Sequence, residues 1–130
     1  MKILLDTCAV LWSVLDPRLL SKAAVDVLTE ESTEVFVSTI SCAEIACGVE
    51  RARVRLDRHW RLWFRHFIQL NGWQVLDIGL GQIEEAYSLP EYSHRDPADR
   101  IIIGTARLLQ CPIVTGDRRI LEYPHVQKIW

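Results

Sequence analysis

Four short stretches of this chain are apolar with almost no polar alternation: KILL at 2–5, EVFVS at 34–38, WQVLDI at 73–78 and CPIVTGD at 111–117. Strands covered on both faces read this way, because neither face meets water. VQKIW at 126–130 adds a candidate edge strand. Between them, apolar residues return at helical spacing over 21–30, 41–53, 55–70, 80–89 and 97–110. Strands alternating with helices predict an α/β fold, with a parallel sheet of about four to five strands and helices on both faces. The longest expected loop, LPEYSHRDP, ends at the helix start formed by Asp96 and Pro97.

Composition narrows this. With 130 residues, 49% of them hydrophobic, the chain suits one domain, 1–130, with a core that needs no staples. Fifteen basic and 17 acidic side chains nearly cancel, so any nucleic-acid contact must come from a local patch. The apolar N-terminus is interrupted by Asp6 and lacks a small-residue cleavage pattern, which predicts a cytoplasmic protein with no membrane span. Cys8, Cys42, Cys47 and Cys111 follow no zinc or disulfide spacing and are expected to be small buried side chains.

Ligands of parallel sheets bind beyond the carboxyl ends of the strands, which gives weight to acids that terminate strands. Asp6 ends the first strand and Asp117 the fourth, each near a threonine, Thr7 or Thr115, able to orient a carboxylate. Glu44 follows the second strand within SCAE, where Ser41 and Glu44 also read as a capping box. Asp96 suits an N-cap, and Asp99 falls in the following first turn. Singly, the helix-start acids are explained by capping. If the topology is as read, all four of Asp6, Glu44, Asp99 and Asp117 face one sheet edge, where a divalent cation would relieve their repulsion. Oxygen-only ligands favour Mg²⁺ or Mn²⁺, as one or two ions able to activate water and neutralise a phosphodiester.

LLDTCAVLW, VFVSTISCAEIACGV and HRDPADRIIIGTARLLQCPIVTGD, in this order and at these separations, resemble a PIN domain of the VapC type, the toxin ribonuclease of bacterial toxin–antitoxin pairs. The resemblance spans nearly the whole chain, and its third segment is the most specific. It implies a PIN-like three-layer α/β/α fold and metal-dependent hydrolysis of RNA. It also implies neutralisation by a cognate antitoxin, and a homodimer. Asp6, Glu44, Asp99 and Asp117 match the family's acidic metal site; Asp96 takes a supporting role, and Arg100 pairs with a neighbouring carboxylate. Two departures, Ala98 in place of a common phenylalanine and Cys8 in place of a common histidine, leave the acids intact.

Arg51, Arg55, Arg58, Arg61 and Arg65 recur every three or four residues, and Leu56, Trp60, Trp63, Phe67 and Leu70 do so on another side. One helix would make these a basic stripe over a buried apolar one, either solvated or in contact with RNA or antitoxin. Among rival enzymes, a haloacid-dehalogenase-like phosphatase needs a second aspartate where Cys8 stands. A phospho-receiver domain needs an acidic pair after the first strand and a lysine after the last. The remaining alternative is a catalytically silent PIN-like module that binds RNA or protein without cutting.

Overall fold

The computed structural model describes residues 1–130. Five strands, β1 (Lys2–Leu5), β2 (Glu34–Ser38), β3 (Gln74–Leu76), β4 (Ile113–Val114) and β5 (Lys128–Ile129), form one sheet in the order β3-β2-β1-β4-β5. Every pairing is parallel. The alternation of side chains along each strand sorts the core into two layers. Ile3, Leu5, Val35 and Val37 face one cluster with Trp63, Phe64 and Trp73. Leu4 and Phe36 face the other, with Ile102, Ile103, Tyr92 and Tyr123. The three-layer α/β/α architecture follows, with β1 central and fully buried at Ile3, Leu4 and Leu5.

Seven α-helices flank the sheet: α1 (Thr7–Leu15), α2 (Lys22–Thr29), α3 (Thr39–Glu50), α4 (Trp60–Asn71), α5 (Leu80–Ala86), α6 (Pro97–Leu109) and α7 (Arg118–Leu121). None is long and apolar enough to cross a membrane. Helix α1 has no counterpart among the helices expected from periodicity, because Thr7–Leu15 is apolar nearly all round and its short run merges with β1. Its start is set by Asp6, whose side chain accepts the Ala9 N–H.

The expected helix over 55–70 is corrected. Helix α3 closes when the N–H groups of Arg53 and Val54 both bond to the Gly48 carbonyl, with Ala52 at φ 55°. Residues 51–59 lie outside any helix, and α4 starts only at Trp60, where the His59 ring nitrogen accepts the Arg61 N–H. Of the five arginines only Arg61 and Arg65 share this helix, so the continuous basic stripe does not exist. The apolar stripe also shifts: Trp63 and Phe64 are buried while Leu70 is exposed. Strand β3, expected to be covered on both faces, is an edge strand with Gln74 and Val75 exposed. Helix α4 ends at Gly72, whose φ of 67° a side chain would resist.

Helix α6 is buried from Ile101 through Ala106 and carries the next acids to the sheet edge. It lies close against α5 because Gly104 has no side chain; a Cβ there would stand 2.8 Å from the Ala86 nitrogen.

Candidate active site

Asp6 leaves β1 just before α1, so its position is fixed by both elements. Its Oδ1 accepts the Ala9 N–H at 2.7 Å and its Oδ2 accepts the Thr115 hydroxyl. The same Thr115 oxygen accepts the Asp117 N–H at 3.0 Å. Thr115 therefore ties the ends of β1 and β4 together. Asp117 starts α7 by accepting the Arg119 N–H through Oδ1 at 2.8 Å.

Glu44 does not form the capping box open to it in the sequence. Ser38 caps α3, its hydroxyl oxygen accepting the Ile40 N–H, and this places Ser41 and Glu44 inside the helix. The Glu44 carboxylate instead accepts the Thr7 hydroxyl. With its proton committed there, Thr7 accepts from Ser41, 3.0 Å away and fully buried. Asp96 caps α6 through the N–H groups of Ala98 and Asp99, at 2.9 and 3.4 Å. Asp99 is 9% exposed, and its Oδ2 is buried without a hydrogen-bond partner.

Burial dominates the electrostatics. It raises Asp6 to about 6 against the Thr115 and Ala9 hydrogen bonds, with Asp117 and Glu44 adding repulsion. It raises Asp99 to about 7, helped by Asp96, Asp117 and Glu44. Glu44 is shifted upward for the same first reason, with Asp96 and Asp117 adding to it. The carboxylates thus sense one another across four elements, a common property of functional clusters.

Arg100 does not pair with a carboxylate. It donates to the carbonyls of Ala86 and Tyr92, both at 3.2 Å, and lies over the rings of Tyr87 and Tyr92. Its role is to hold the loop before α6. The cation near the acids is Arg119, which the sequence reading passed over; its Nη2 is 3.8 Å from Asp99 Oδ2 and 3.6 Å from Asp117 Oδ2. Two arginines directly after a strand-end acid in TGDRR were the available signal. Cys8 is exposed at the residue level, yet desolvation of its sulfur and the four acids push the thiol to about 11, unlike an activated nucleophile. Of the other cysteines, only Cys111 is buried, and all four are free.

The cluster's donor set suits a hard divalent cation: oxygen ligands, mutual repulsion, and in Asp99 Oδ2 a buried acceptor with nothing bound to it. The side chains as placed do not bring three acids close enough to form a ready cage, since Asp6 and Glu44 are turned toward their hydroxyl partners.

The carboxyl edge of the five-stranded parallel sheet thus carries four acids, one each from the first and middle thirds of the chain and two from the last. The PIN domain family model matches residues 3–126, and the chain belongs to that family, in its VapC-type ribonuclease branch. Ribonuclease VapC22 of Mycobacterium tuberculosis is 30% identical over 129 residues, which cover 98% of this chain and 95% of the relative. The fold also matches DNA-bound VapBC from Salmonella typhimurium, with TM-score 0.73 and 17% identity over 98% of this chain and 96% of the other. VapBC2 from Rickettsia felis, bound to a promoter DNA fragment, gives TM-score 0.72 and 15% identity over 98% and 97%.

Proposed function

We propose that this protein hydrolyses phosphodiester bonds in RNA with Mg²⁺ or Mn²⁺ held by Asp6, Glu44, Asp99 and Asp117, as the toxin of a pair whose antitoxin neutralises it. The observation that carries the reading is the buried, unpartnered Asp99 Oδ2 among three further acids, an arrangement costly to an interaction module that never binds a cation. The solved relatives in the comparison include toxin–antitoxin complexes, which supports a protein partner for this chain. When bound, the cation supplies Lewis acidity toward water and the phosphodiester and offsets the charge of the acids.

The chain's own residues set the geometry. Thr115 holds Asp6 and the Asp117 backbone in register, and the Ser41 to Thr7 to Glu44 relay aims Glu44 at the same edge. Asp96 fixes the first turn of α6 and so the direction of Asp99. Because a water rather than the 2′-hydroxyl attacks, cleavage should leave 5′-phosphate and 3′-hydroxyl ends. End-labelled single-stranded RNA incubated with Mg²⁺, Mn²⁺ or EDTA tests this. Metal-independent cleavage with 2′,3′-cyclic phosphate ends, or no cleavage with either metal, would refute it and favour the silent binding module.

A further inference from the structure

Arg119 stands between the acidic cluster and a neighbouring cavity of about 170 Å³, walled also by Glu91, Tyr92, Ser93, His94, Glu122 and Tyr123, where it is the one arginine or lysine and so the one strong attraction for a phosphate. Its nearest guanidinium nitrogen reaches both Asp99 Oδ2 and Asp117 Oδ2, yet at 3.8 and 3.6 Å neither contact is a hydrogen bond. Charge-assisted pairs close to about 2.8 Å when nothing opposes them. The side chain is also 49% exposed, so this is a loose counter-ion rather than a locked one. Tyr92, one of the wall residues, is only 8% exposed, and its buried hydroxyl is a second polar group without a partner. The His94 ring packs edge-on against Tyr92, and Tyr92 against Tyr123, which makes this wall aromatic.

Taking the ribonuclease reading as its basis, we propose that Arg119 is the phosphate-binding residue of the substrate site. It leans on Asp99 and Asp117 while no divalent cation is bound, and contacts an RNA phosphate over the Tyr92–His94 cavity once one is. The two roles compete for one guanidinium. Arg119 repels a cation approaching Asp99 and Asp117, whereas a cation there removes the negative charge that holds Arg119 inward. The arginine is suited to the second role because its planar fork can grip two phosphate oxygens, while the half-buried His94 ring offers a base a stacking surface.

This assignment predicts effects of opposite sign from one substitution. Calorimetric titration of RNA-free protein with Mn²⁺ should show Arg119→Gln binding the metal roughly fivefold tighter than wild type, the effect expected of deleting one half-exposed charge nearby. For a labelled single-stranded RNA in saturating Mn²⁺, the same variant should raise KM roughly fivefold or more, with a smaller effect on kcat. Arg119→Lys, which keeps the charge but not the fork, should return Mn²⁺ affinity to the wild-type value and recover only part of the RNA affinity. Unchanged or weaker Mn²⁺ binding in Arg119→Gln, or an unchanged KM, would overturn the assignment. A wild-type protein that cuts no RNA would refute the nuclease reading alone. Fluorescence anisotropy of the uncut RNA then supplies the affinities, and equal binding by wild type and Arg119→Gln would overturn the phosphate role.

Discussion

Asn in place of Asp99 should abolish RNA cleavage and at the same time stabilise the metal-free protein. Asp99 titrates at 3.8 in an unconstrained chain and near 7 when folded, because burial and then Asp96 and Asp117 disfavour its charge. Between those values the folded protein holds a proton that the unfolded chain has released. The stability associated with that proton is complete below about pH 4 and is lost as the pH rises toward 7. Three pKa units correspond to about 4 kcal/mol. The neighbouring Arg119 is half exposed, and solvent screening through it reduces the figure to about 2 kcal/mol. Asparagine has the same shape and no charge, but leaves an amide without a partner at a cost of about 1 kcal/mol. No hydrogen bond made by the Asp99 side chain is lost, since it makes none. The net gain of about 1 kcal/mol should raise the melting temperature by about 3–5 °C near pH 8 in EDTA. Near pH 4 the gain should vanish or reverse, because wild-type Asp99 is then protonated too. Thermal unfolding followed by circular dichroism at both pH values, with and without Mn²⁺, provides the assay. Asp99→Asn melting below wild type near pH 8 in EDTA, or a pH-independent difference between the two, would refute the electrostatic account.

Three further outcomes follow from other parts of the molecule. Gly104→Ala should destabilise the protein by about 1–3 kcal/mol, since its Cβ must displace the Ala86 backbone of α5; denaturant unfolding reads this directly. Arg100→Gln, which loses the carbonyls of Ala86 and Tyr92 and two ring contacts, should cost about 2 kcal/mol and loosen the loop before α6, visible as faster amide exchange there. If the antitoxin covers the acidic edge with an arginine or lysine, Mg²⁺ and antitoxin should compete, and neutralising both Asp6 and Asp99 should weaken the complex; affinity insensitive to both changes would place the inhibitor elsewhere.

The strands were legible because burial on both sides leaves a plain apolar run, and β1, β2 and β4 have that environment. β3 misled because Trp73 and Leu76 supply an apolar signal at a sheet edge. The helix boundaries around residues 51–59 were hidden for a different reason: α3 ends on Ala52 in a left-handed conformation, with no glycine to mark it. Asp6 and Asp117 could be singled out from strand ends, and Asp99 from its place after a Pro-containing cap. Glu44 was ambiguous until Ser38 proved to be the cap, which a window restricted to SCAE cannot show. Arg119 and the Tyr92 hydroxyl depend on how α7 and the loop before α6 fold back together, and no local pattern encodes that.

The acids of this centre stand at positions 6, 44, 99 and 117, and the Thr115 to Asp6 hydrogen bond joins residues 109 apart in sequence. A ribosome delivers the chain from its N-terminus, and β1 cannot find its β4 neighbour until Ile113 and Val114 have emerged. Every product of interrupted translation that stops before Thr115 has an Asp6 without that hydroxyl beside it and lacks Asp117. On the proposed function, such truncated copies lack the cutting centre, and the cell that makes this protein is spared their activity.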